Sequence, residues 1–161
     1  MVIRKRGVKV HVAVCSTGLP LSILTGLGSQ HDSQKFIEVI DGIEIKIERG
    51  RPRTKPDEVV ADATYDNMKI REYLRRRNIH SNIGVNKRNM KKPYVGRPTR
   101  FEEMSYKKNR NCIKKFNSWI NTRFRRITMS YKRLESCFGG LLNITCFLIF
   151  WTKLHAGGIL K

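Results

Sequence analysis

"VVADATYDNMKIREYL", residues 59–74, decides how this chain is read. The run from Glu58 to Asp62 is short and β-branched, too brief for a helix, so it reads as a buried strand ending at Asp62. Asp66 or Asn67 then caps a helix whose apolar stripe is Ile70, Tyr73 and Leu74, with Arg71, Arg75, Arg76 and Arg77 solvating the rest. A carboxylate at a strand tip faces the crevice where α/β folds bind ligands. It is equally readable as a solvated strand-end acid, and the rest of the chain has to choose.

Working outward, Val8, Val10, Val12 and Val14 alternate with Lys9, His11, Ala13 and Cys15 in the period of a strand. A turn at Gly18 and Pro20 returns the chain into a second strand, predicting an antiparallel hairpin over residues 8–29. Asp32 or Ser33 is expected to cap a helix bearing Phe36, Ile37 and Ile40. After the strand and helix of the opening stretch come a short strand at residues 80–86, a basic loop with Pro and Gly, and a helix carrying Ile113, Phe116 and Ile120. Residues 136–152 hold no charge. They predict a terminal helix packed on the sheet through Phe138, Leu141, Phe147 and Ile149, with Leu142 and Trp151 extending the contact, rather than a membrane anchor. The order β-β-α-β-α-β-α-α suggests a mixed sheet flanked by helices, in one domain over residues 1–161.

The 161 residues carry 33 Lys and Arg against 13 Asp and Glu, a formal charge of +20. Twelve basic and 10 acidic residues lie before Tyr73, and 21 basic and 3 acidic from there on, so nearly all the excess sits in the second half. A field of that sign seeks a polyanion, with nucleic acid first and an anionic membrane second. Cys15, Cys112, Cys137 and Cys146 lack zinc spacing and read as buried, reduced thiols. His11 and His80 have no partner at metal-ligand spacing, capping is the expected job of Asp32 beside His31, and neither a G-x-S-x-G nor a phosphate-binding loop occurs.

Four blocks carry a resemblance: "HDSQKF", "GRPRTKPDEVVADATYDNMKIREYLRRRNI", "VGRPTRFEEMSYKK" and "RNCIKKFNSWINTRFRRI". In order and in register they resemble the catalytic domain of DDE-type transposases of insertion sequences, the group numbered four and five. The resemblance implies an RNase H-like fold and DNA transposition: three acids hold Mg²⁺ ions for strand cleavage and strand transfer. It makes Asp62 the second acid and a metal ligand, with Tyr65 and Asp66 matching the "YD" behind it. Lys114 stands where the third acid, a Glu, is expected, and Asn121 where a DNA-contacting Lys is expected. Glu102 and Glu103 fall in the preceding loop. Only seven residues precede Val8 and none is acidic, so the first acid and the central strand that bears it are expected to be missing. The expectation is a truncated, degenerate copy without catalysis of its own, Mg²⁺ not productively bound, in the cytoplasm on the nucleoid. DNA is its partner, through Arg53, Lys87, Arg88, Arg110, Arg123, Arg125 and Arg126, with a homo-oligomer or a full-length transposase as protein partner. The rival is a non-catalytic nucleic-acid-binding regulator.

Overall fold

The hairpin forms where the valines alternate. A computed structural model describes residues 7–46, 50–86, 100–125 and 135–156. Strands β1 (Val8–Val14) and β2 (Pro20–Leu27) pair antiparallel, with Val8 opposite Leu27 and Val12 opposite Ile23. The turn closes through a Cys15 N–H bond to the Leu19 carbonyl (2.9 Å) and a Gly18 N–H bond to the Cys15 carbonyl (2.9 Å). Gly18 has φ +87°, and a Cβ there would lie 3.3 Å from the Cys112 carbonyl oxygen. Both facts favour glycine.

The described chain divides into two compact units, His31–Asn111 and the two flanking segments Met1–Gln30 and Cys112–Lys161. In the flanking unit β1 and β2 join the C-terminal half of helix α3 (Glu103–Arg123) and a terminal helix, Glu135–Ala156. Phe116, Ile120, Leu142 and Ile149 are its buried core, and Val10, Val12, Val14 and Ile23 pack onto them from one sheet face.

The continuous unit starts with a 3-10 turn (Asp32–Gln34) and helix α1 (Phe36–Asp41). Strand β3 (Glu58–Ala61) follows, then a 3-10 turn (Ala63–Tyr65), helix α2 (Met68–Arg76) and strand β4 (His80–Ile83). β3 and β4 are parallel, with Glu58 opposite His80 and Ala61 opposite Ile83, so α2 is the crossover between them. Its inner face is Ile70 and Leu74, both buried. Asn78 ends it at φ +52°, a left-handed conformation Asn tolerates.

Several expectations change. A mixed sheet needs a strand with a parallel neighbour on one edge and an antiparallel one on the other. No described strand pairs on both edges, so two two-stranded sheets stand where one mixed sheet is expected. Of the two caps offered for α2, Asn67 takes the job, its Oδ1 accepting from the Lys69 N–H (2.9 Å). Neither Asp32 nor Ser33 caps the first helical segment: His31 Nδ1 accepts from the Ser33 N–H at 3.3 Å, and α1 has no side-chain cap. In the terminal helix, henceforth α4, Leu142 and Ile149 are buried but Phe147 is 62% and Trp151 48% exposed. The helix turns those two side chains away from the core, so only part of the expected contact exists.

The thiols also differ among themselves. Cys112 is buried with its Sγ donating to the Ser16 carbonyl (2.9 Å), whereas Cys137 is exposed. Burial pushes the Cys146 thiol up to about 11. Burial pushes Cys15 upward too, but hydrogen bonds from the Thr17 side chain and from the turn's backbone outweigh it and hold the thiol below its ordinary value. Thiolate is the reactive form, so Cys15 and Cys137 are expected to take up maleimide first, with Cys112 and Cys146 protected until unfolding. Mass-spectrometric mapping of a timed labelling reaction checks this; early modification of Cys112 would contradict the packing.

Candidate functional site

Asp62 lies one residue beyond β3, at the start of the 3-10 turn, with φ −67° and ψ 157°. Its carbonyl accepts from the Tyr65 N–H (2.9 Å), while its side chain is exposed and makes no capping bond. The turn Asp32–Gln34 packs against Ala63–Tyr65, and the Tyr65 ring rests on Phe36 at 5.4 Å between centroids. Burial raises the Tyr65 hydroxyl above its ordinary pKa, and the charges of Asp32 and Asp62 raise it further. Two carboxylates thus act on one phenol at the tip of β3, and Asp32 belongs to this neighbourhood although its sequence context points only to capping.

Asp66 has a different task. Its Oδ1 accepts from Arg71 Nε at 2.6 Å, its Oδ2 accepts from the Asn86 N–H at 2.7 Å, and Arg71 Nη2 donates to the Ile83 carbonyl at 3.1 Å. Both side chains are less than one-fifth exposed. The pair ties the entry of α2 to the exit of β4 and so fixes the segment that follows Asp62. Arg77 is also committed: it donates to Asp41, which accepts from the Tyr73 hydroxyl as well (2.6 Å). Of the four arginines expected to solvate α2, Arg71 and Arg77 are structural, and Arg75 and Arg76 are exposed.

A second polar cluster is invisible to hydrophobic patterning. Asn82, fully buried in β4, donates from Nδ2 to Glu58 Oε1 and to the Glu102 carbonyl (both 3.0 Å) and accepts from the Glu102 N–H (3.1 Å). Ser105 Oγ donates to Glu58 Oε2 (2.9 Å). These bonds seat the first turn of α3 on the parallel pair. The one sequence signal is an Asn beside Ile83 inside a short strand, since a buried amide must find partners. Glu102 contributes backbone here, and Glu103 pairs along α3 with Lys107 (2.7 Å), which holds its carboxyl below the usual range.

Positive charge is sorted along α3. Cys112, Phe116 and Ile120 are buried. On the opposite side, by the 100° step of a helix, stand Arg110, Lys114 and Asn121, all exposed, and Arg125, beyond the end of α3, is exposed too. Arg123, also exposed, lies at the end of the helix. Arg110 stacks over Tyr106, 5.9 Å from its centroid. Arg53, in contrast, gives its guanidinium to both oxygens of Asp57 at 2.6 Å, which offsets its charge. Lys87, Arg88 and Arg126 lie outside the described residues. The flanking unit holds 13 Lys and Arg and one acid, Glu135, a formal charge of +12; the continuous unit holds 20 and 12, or +8.

A Mg²⁺ pair needs several oxygen ligands shared between the ions. Among the described residues no three of His, Cys, Asp and Glu gather as a ligand set. An exposed ammonium at Lys114, in the sequence position expected for an acid, repels a cation. This donor set does not fit two Mg²⁺ ions.

The chain is 29% identical over 151 residues to the "putative transposase for insertion sequence element IS402" of Burkholderia cepacia. That match covers 92% of this chain and 65% of the relative, so the chain spans about two-thirds of the length of the curated protein it resembles. No solved structure matches it. Residues 4–150 match the family model described as the transposase DDE domain, and a match over nearly the whole chain means that the protein belongs to the transposase DDE domain family.

Proposed function

We propose that this chain binds DNA as a member of the insertion-sequence group numbered four and five, and that it does not cut DNA by itself. The exposed face of α3 carries the reading: Arg110 and Lys114 stand opposite the apolar inner face of Cys112, Phe116 and Ile120, with Arg123 at the helix end, where cations can follow a phosphate backbone. Asp62 is the surviving family acid. Lys114 in place of the third acid turns a metal-attracting position into a repelling one; at ~4 Å and an effective dielectric of ~20, each such charge pair is worth about 4 kcal/mol. DNA transposition is the family's activity, and cutting and strand transfer would have to come from a partner, a full-length transposase or further copies.

The test is a plasmid nicking assay in Mg²⁺ and in Mn²⁺ with purified chain. The expected outcome is binding without strand cleavage. Cleavage above background that vanishes in Asp62→Ala would overturn the reading and return the chain to the active members of its family. Binding with no cleavage fits the non-catalytic regulator equally at the level of chemistry. Preference for the ends of an insertion element over random duplex separates that reading from general backbone binding.

A further inference from the structure

Helix α4 is two-faced in an unusual way. Its inner face, Leu142, Thr145 and Ile149, is buried. Its outer face is also apolar. Ile144 (58% exposed), Phe147 (62%), Leu148 (39%) and Trp151 (48%) recur at the i, i+3, i+4, i+7 spacing of one helical stripe. The Phe147 and Trp151 rings stack at 6.2 Å and Trp151 meets His155 at 4.5 Å, so the stripe is a continuous surface. Ser136–His155 is long and apolar enough to cross a membrane, with a mean hydropathy of 1.5, yet only 17% of it is buried. A core helix of that hydropathy is normally covered on all sides.

The occupant of this stripe must tolerate the charge around it. The flanking unit has a formal charge of +12 with one acid. A second copy brings the same charge to the contact, and four side chains per partner make a small interface. Duplex DNA accepts the charge but offers no apolar surface to cover phenyl and indole rings. An anionic bilayer satisfies both demands, since its headgroups attract the cations and its acyl boundary takes the stripe. Trp151 sits near the C-terminal end of the stripe, where an indole suits the headgroup level. The Lys153 ammonium lies 5.0 Å over the Trp119 ring, which orders the base of this end.

We propose that the outer face of α4 docks on anionic lipid bilayers as an in-plane amphipathic surface. This goes beyond DNA binding and does not depend on it. It also revises the expectation that the uncharged segment is fully spent on the sheet.

The experiment uses full-length chain freed of nucleic acid by nuclease. It is mixed with vesicles of phosphatidylcholine alone or of phosphatidylcholine with one-third phosphatidylglycerol. The chain has two tryptophans, so Trp119→Phe leaves Trp151 as sole reporter. Partition into the anionic vesicles is expected to be at least about tenfold stronger than into neutral ones, with Trp151 emission shifted to the blue and quenched by brominated lipid. The variant Ile144→Ser/Phe147→Ser/Trp151→Ser changes only exposed positions and should lose about tenfold or more of that partition. Should it misfold by circular dichroism, brominated-lipid quenching of Trp151 alone decides. Absence of binding, or binding with Trp151 unquenched, would overturn the proposal. So would a lipid-free dimer in which Trp151 is already buried, and that result would assign the stripe to a second copy.

Discussion

Raising monovalent salt from about 50 mM to about 200 mM is expected to weaken duplex DNA binding by this chain about a thousandfold. Each neutralised phosphate releases condensed counterion, so log K falls against log salt with a slope near −0.9 per contact. About six contacts give a slope of about −5. Arg110, Lys114 and Arg123 are described cations placed to make them, all exposed on α3. Fluorescence anisotropy across a salt series reads the slope directly. Lys114→Ala should flatten it by about one unit and weaken all sequences alike, the mark of a phosphate rather than a base contact. Arg53→Ala should barely alter it, because Asp57 already offsets that guanidinium. A slope near zero would remove nucleic acid as the main partner.

The second large effect is on stability. Asp66→Ala is expected to cost about 3–5 kcal/mol, because it leaves the Arg71 guanidinium largely buried without its counter-charge and the Asn86 N–H without its acceptor. Asp57→Ala removes an ion pair in which Asp57 is 87% exposed, and should change stability by less than about 1 kcal/mol. Urea unfolding of both variants gives the comparison. Near-equal midpoints would mean that the Asp66–Arg71 clamp carries no stability. A large loss in Asp66→Ala with DNA binding intact under folding conditions would separate the clamp from the basic face.

How far the sequence alone reaches depends on the kind of signal. The hairpin is legible because Val8, Val10, Val12 and Val14 alternate over a full strand and Gly18 marks the turn. The β3–α2–β4 crossover is legible because a β-branched run, a capping residue and an i, i+4 apolar pair follow in order. Pairing partners are not, since alternation says which face is buried but not which strand lies alongside; hence one mixed sheet is expected and two pairs are found. The outer face of α4 is illegible for a related reason. In a segment without charge no side is marked as outside, so Phe147 reads as core as readily as Ile149. At the strand tip, the position of Asp62 is legible from the β-branched run that ends just before it. The Asp66 clamp and the Asn82 cluster depend on residues 20 apart in sequence, and no local pattern announces such contacts. The basic helix stands between these cases. Its charge is plain in the composition, and the structure places Lys114, expected as a substituted acid, on the same face as Arg110.

The division of the chain has a consequence for its birth on the ribosome. The flanking unit is assembled from Met1–Gln30 and Cys112–Lys161, with the whole of the continuous unit threaded between. The hairpin emerges first, yet the residues that cover its valines, Phe116 and Ile120 and then Leu142 and Ile149, are made last. At roughly 5–20 residues per second, the interval between Gln30 and Cys112 is about 4–16 s. During that time an apolar two-stranded sheet waits uncovered, while α2 and the parallel pair find their described hydrogen-bond partners within the continuous unit itself. Vectorial synthesis therefore favours the continuous unit, and it makes the hairpin the segment most dependent on chaperone protection.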